Sequence, residues 1–279
     1  MILNRCIKKD IEYTDDKIKN LFPKAYTDYR DMIKICIYES KRDKSGYCTI
    51  PISEMVFTEA IGGITDISYK DNTVKCSRYR YESIGEMLEN ISMDMDIKQL
   101  LETMKLCEKL LEENIDYIFN ISGIMSVMDS MIDITKVLKA TRKEADTLKI
   151  LFNIIEKYMV EYIQKAFENG ARIISYSDPP LMKDIIGPKR AVWIAENFTV
   201  DFIKKLLKIM PNDAVLHLCP KTVELLEYMD VIELENTDLI EKMYYSEAVK
   251  KMSESADIVA GMCINSRMTI KEINVVKLK

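Results

Sequence analysis

The stretch AVLHLCPKT, residues 214–222, holds the single histidine of a 279-residue chain. Apolar residues lead into His217 and Cys219, and Pro220 closes the run. A short apolar run bounded by a turn signal reads as a strand buried on both faces. Five other stretches read the same way or as half-buried strands: YCTIPI (47–52), IDYIFNIS (115–122), ARIISYS (171–177), VIELEN (231–236) and DIVAGMC (257–263). Helical patterns lie between them. Leu148, Leu151, Phe152, Ile155, Met159, Tyr162, Ile163 and Ala166 recur at spacings of three and four, which puts them on one helix face. Asn169-Gly170 then ends that helix, with Gly170 just past its C-terminus. Phe198, Phe202, Ile203, Leu206 and Leu207 repeat the pattern ahead of Pro211. A third helix is expected over 238–255. Strand, helix, strand in regular order implies βαβ units and a parallel sheet. Residues 53–95 break the rhythm and predict an excursion with turns or short antiparallel strands.

Bulk composition narrows the field. A net charge of −5 argues against a general nucleic-acid surface. No apolar run is long enough to span a membrane, and MILNRCIKKD lacks the apolar core of a secretory signal. Seven cysteines at irregular spacing do not form a disulfide framework. A cytoplasmic, reducing location is expected.

In α/β folds ligands gather at the carboxyl ends of the strands. Asp178 follows one predicted strand, His217 and Cys219 close the next, Glu235 closes VIELEN and Cys263 closes DIVAGMC. Alternation along a strand sends His217 and Cys219 to the same side. An imidazole and two thiolates would suit zinc, with one position left open for a ligand, and a thiol entering there would be activated. The alternative at this point is two buried cysteines and a hydrogen-bonded core histidine.

HLCPKT (217–222) resembles the H-x-C-G-N-T segment of the zinc methyltransferases that act with cobamide (corrinoid) carriers, in the uroporphyrinogen decarboxylase superfamily. DIVAGMCINSRMTIKEINVVKL (257–278) resembles the segment that supplies their third zinc ligand, at Cys263. GARIISYSDPPLMKDIIGPKRAVWIAENF (170–198), IPISEMVFTEAIGG (50–63) and, less closely, NISGIMSVMDSMID (120–133) are similar to other stretches of that family. The resemblance implies a TIM-type (β/α) barrel, zinc at its C-terminal rim, and methyl transfer between a corrinoid carrier protein and a small thiol. It implies His217, Cys219 and Cys263 as zinc ligands, with Glu235 as a displaceable fourth. Asp178 would orient a ligand, or else cap the helix that follows. Glu54 would contact substrate.

The chain departs from the family pattern in three ways. Pro220 replaces a glycine, SRMT lacks the usual prolines, and only 44 residues separate Cys219 from Cys263. The expectation is therefore one domain over 1–279: an incomplete barrel, about two strands short of eight, with a helical N-terminal extension over 1–44. The helices of 15–22 and 24–40, or a homodimer or hetero-complex contact, would cover its open edge. A non-catalytic zinc-binding subunit is the second reading and a tetrapyrrole decarboxylase the third. The third is weakened because NRCIKKD is a poor carboxylate clamp and Arg78, Arg80 and Arg142 lie in unlike contexts. Eighteen scattered methionines at helical spacings read as core. Cys6, Cys36, Cys48, Cys76 and Cys107 have no partner pattern.

Overall fold

Residues in ARIISYS alternate between two environments, and that alternation organises the molecule. Ile174 and Tyr176 belong to the large core beneath the helices, whereas Ile173 belongs to a second core on the opposite face. The computed structural model describes residues 15–42, 47–68 and 73–279. Residues 1–14 and 43–44 of the predicted N-terminal extension, with Cys6, lie outside them.

The strands are β1 (Cys48–Ile50), β2 (Ile64–Ser68), β3 (Thr73–Arg78), β4 (Tyr117–Ser122), β5 (Ile173–Ser177), β6 (Val215–Leu218), β7 (Ile232–Tyr244), β8 (Ile258–Ala260) and β9 (Thr269–Leu278). Seven form one sheet in the order β1-β4-β5-β6-β8-β9-β7, and β2 and β3 make a separate antiparallel hairpin. The hairpin is the excursion expected within 53–95. Strands β1, β4, β5, β6 and β8 pair in parallel. β9 is antiparallel to β8 and to β7, so β7 again points the common way. Among the described residues six strands therefore share one direction, two fewer than a complete barrel. The architecture is α/β, an incomplete (β/α) barrel whose edge strands are β1 and β7.

One face of the sheet carries Phe119, Ile121, Ile174, Tyr176, Leu216, Leu218 and Ile258 into the main core. Helices Lys98–Glu112, Ala145–Glu168, Val200–Ile209 and Pro220–Tyr228 contribute their apolar stripes to it. Phe198 stacks on Phe202 at 5.3 Å, and Phe202 meets Tyr176 at 5.6 Å. Gly170, at φ +95°, ends helix Ala145–Glu168 as expected; a left-handed residue there closes the last turn. The other face carries Ile118, Ile173, Val215 and Val259, and one helix covers it. That helix is Tyr245–Met252, through Tyr245, Ala248, Val249 and Met252. Helix Tyr29–Arg42 packs against β1 and helix Lys98–Glu112. Below it a small core of Ile18, Phe22, Ala25, Tyr26 and Ile35 meets Ile67 and Val74 of the hairpin. No helix among the described residues is long and apolar enough to cross a membrane.

Three expectations are corrected. The helix over 238–255 is shorter, because β7 runs on to Tyr244 and only Tyr245–Met252 is helical. β9 supplies the hydrogen-bond ladder that keeps 238–244 extended, and tertiary pairing outweighs local propensity. The last strand is β9 rather than 257–263, and β8 stops at Ala260. Gly261, at φ +139°, turns the chain out of the sheet there. The first strand ends at Ile50 because Pro51 has no N–H for the ladder.

Candidate functional site

His217 lies in a row across the sheet. Its register partners are Ser175 on β5 and Val259 on β8. The ring is 1% exposed and both nitrogens are engaged. Nε2 is 2.9 Å from the Met262 carbonyl oxygen. A carbonyl only accepts, so Nε2 carries the proton. Nδ1 is 3.1 Å from Ser175 Oγ and accepts from that hydroxyl. The Tyr245 ring lies edge-on to the imidazole at 5.7 Å and 78°. Burial pulls the pKa of His217 down to about 4, with the Met262 carbonyl working against the fall. The imidazole is neutral.

Cys219 and Cys263 are both buried near Tyr245. Burial pushes the Tyr245 phenol above its ordinary range, a bond with the Met262 backbone works against the rise, and Cys263 and Cys219 add smaller pushes upward. Cys219 is the residue before helix Pro220–Tyr228, and its N–H donates to the Tyr176 carbonyl at 3.0 Å. Pro220 occupies the first helical position, where a missing N–H costs nothing. The glycine-to-proline departure is thus accommodated by the helix start. Cys263 lies beyond β8, in the loop that also carries Met262.

The imidazole thus meets the Tyr245 ring edge-on, and Cys219 and Cys263 are near enough to influence its phenol. A ligating His must offer a bare lone pair, and in this structure both His217 nitrogens hold bonds within the protein. Among the described residues no three His, Cys, Asp or Glu side chains gather as a metal-binding group. Glu235 is not brought to them. It sits within β7 rather than at its end, two strands from β8, and its exposed carboxylate pairs with Lys277.

Asp178 does cap a helix, though not the one that follows it. Its carboxylate accepts from Met125 N (3.0 Å), Ser126 N (2.9 Å) and Ser126 Oγ (2.9 Å), at the start of helix Ile124–Asp129 after β4. Burial raises its pKa to about 6 against these three bonds. The fit requires Gly123, since a Cβ there would lie 2.4 Å from Asp178 Cβ and 2.5 Å from Tyr176 Oη. Glu54 is exposed, at the mouth of a cavity of about 20 Å³. Asn120, Tyr162 and apolar residues from helix Ala145–Glu168 line it, and a space of that size holds about one water.

The uroporphyrinogen decarboxylase (URO-D) family model matches residues 10–265. The chain belongs to the URO-D family. Within it, two proteins of Methanosarcina barkeri named Methylcobamide:CoM methyltransferase MtaA are similar. One is 22% identical over 268 residues, covering 95% of this chain and 77% of its own. The other, from strain-unspecified M. barkeri, is 21% identical over 271 residues with the same coverage. A methyltransferase from Methanosarcina mazei shares the fold at a TM-score of 0.59 and 16% identity, covering 75% of this chain. The chain spans 63% of that structure.

Sequence reasoning missed Ser175, the Met262 carbonyl and Tyr245. Ser175 was accessible in principle, because pairing ARIISYS with AVLHLC in parallel sets it beside His217. Tyr245 lay inside an expected longer helix, with nothing to mark the face it would present.

Proposed function

We propose that this URO-D family chain is a methyltransferase that moves a methyl group between a corrinoid carrier protein and a small thiol. The observation that carries the reading is the meeting of His217, Cys219 and Cys263 around Tyr245 at one rim of the sheet. The similarity to methylcobamide:CoM methyltransferases over 95% of this chain and 77% of theirs supports it. The finer form of the reading is a thiol activated as a zinc thiolate on those three residues. It asks His217 to leave Met262 or Ser175 for the metal, and Glu235 to remain on Lys277. Asp178 then serves by fixing the loop between β4 and its helix, and Glu54 by bordering the approach.

A second reading has a specific observation behind it. The closed bonding of His217 favours a subunit that keeps the rim residues as core and acts without metal. Protein purified without chelator separates the two. About one zinc per chain, lost in Cys219→Ser and Cys263→Ala but kept in Cys107→Ala, supports the zinc form. Cys107 is buried beneath the helices, far from the rim residues in sequence. Demethylation of methylcobalamin by added thiol, with no metal bound, refutes the zinc form and keeps the methyltransferase. Neither metal nor demethylation leaves the subunit reading.

A further inference from the structure

Beyond the end of β8 the β7–β9 ribbon stands away from the sheet and leaves a cleft of about 540 Å³. Its walls are Leu234 and Asn236 of β7, Ala260 to Met262, Tyr245, and Ile270 to Asn274 of β9. The size falls in the usual range for an organic ligand or part of one. Three features converge at its base. Tyr245 is 1% exposed, and its hydroxyl makes no well-formed hydrogen bond among the described residues, only a loose one with the Met262 backbone. A Cβ built on Gly261 would lie 3.8 Å from that hydroxyl and 3.7 Å from Asn274 Nδ2, in open contact with both. Asn236 sits opposite Asn274 in the β7–β9 register, and its Nδ2 donates to Glu272 Oε2 at 2.8 Å. The Asn236 carbonyl oxygen is thereby turned to serve as an acceptor.

The chemistry of this lining is specific. Two carboxamides and a phenol offer donors and acceptors side by side, which matches a group that is itself donor and acceptor: a primary amide. Lys271 and Glu272 at the wall cancel in charge, so an anion or a cation gains little. Leu234, Ile270 and Ile273 supply the apolar remainder. A buried hydroxyl with only a loose backbone partner is under-satisfied, and an amide arriving in the cleft would complete its bonding. The same tyrosine touches His217 and is adjacent to Cys219 and Cys263. Whatever fills the cleft is held next to the rim proposed for methyl transfer.

We propose that the cleft receives the amide-bearing fringe of the carrier's corrin ring. A corrin ring carries primary amides on its periphery, and about 540 Å³ accommodates that fringe but not the macrocycle. This inference rests on the reading of the chain as a corrinoid methyltransferase. It assigns the recognition of the carrier's cofactor to Tyr245, Asn274 and Asn236.

Equilibrium dialysis against cobinamide, which keeps the side-chain amides and lacks the nucleotide loop, tests it. A corrinoid whose amides have been hydrolysed to carboxylates is the comparison ligand. The full chain should bind cobinamide at least about 10-fold more tightly than the acid. Asn274→Ala and Tyr245→Phe should each weaken cobinamide by about 3- to 10-fold, as for one neutral hydrogen bond, without changing the weaker binding of the acid. Tyr245→Phe keeps the ring against His217, and Asn274 is only partly buried, so both variants should remain folded by circular dichroism. Equal binding of the two corrinoids, or full cobinamide affinity in folded Asn274→Ala, overturns the proposal. Amide-dependent binding in a chain that fails to demethylate methylcobalamin would sustain this inference while removing the methyltransferase reading.

Discussion

Acidification pulls His217 and Asp178 in opposite directions, and two variants separate them. In chelator-treated protein His217 stays neutral in the folded chain down to about pH 4, whereas its ordinary value is 6.5. Between those values the unfolded chain binds the extra proton. The contribution of His217 is therefore complete above pH 6.5 and is lost as the pH falls toward 4. Asp178 is the reverse case, with a folded value of about 6 against an ordinary 3.8. Here the folded chain binds the extra proton, so the buried charge costs stability above pH 6 and the cost is relieved as the pH falls toward 4. From pH 7 to pH 5, His217 alone removes about 2 kcal/mol and Asp178 alone returns about 1.4 kcal/mol. The native pair thus nearly cancels, at a net loss of about 0.6 kcal/mol. His217→Gln should expose the Asp178 gain and Asp178→Asn the His217 loss. Urea unfolding at pH 7 and pH 5 gives the stability of each chain, and titration of all other groups drops out of the differences between variants. The two variants should differ in their pH 7-to-5 change by about 3 kcal/mol. Equal changes in the native chain and His217→Gln would mean that His217 titrates normally when folded, and the bonding described for its two nitrogens would be wrong.

Two further outcomes test the packing of the same region. Gly123→Ala should destabilise the chain by about 1–3 kcal/mol, read as a lower thermal midpoint, because its methyl overlaps Asp178 and Tyr176; an unchanged midpoint would mean that the cap is loose. Tyr245→Ala should cost about 3–5 kcal/mol as a large buried side chain is removed, whereas Tyr245→Phe should cost under about 1 kcal/mol because the hydroxyl has only a loose backbone partner to lose. Similar losses in both would show that the hydroxyl is firmly bonded.

The legible part of the fold was the part governed by single-strand patterns. IDYIFNIS, ARIISYS and AVLHLC are read correctly because each is buried on both faces, and a continuous apolar run is the direct mark of that burial. The hidden part began after β6, where pairing is non-local. β9 is inserted between β8 and β7 in the opposite direction, and nothing in TIKEINVVKL states which strands will accept it. Once β9 is there, 238–244 must stay extended and the following helix cannot begin before Tyr245. Among the described residues, helix Tyr245–Met252 is the helix that packs against Ile118, Ile173, Val215 and Val259. The site inherits that change. The helix begins with the tyrosine that abuts His217, and the loop after β8 brings the Met262 carbonyl to Nε2. His217 and Cys219 were found because i and i+2 on one strand share a face regardless of what lies opposite. Whether they face a metal, a ligand or a side chain depended on an element 26 residues away, and its start is set by the β7–β9 pairing rather than by its own sequence.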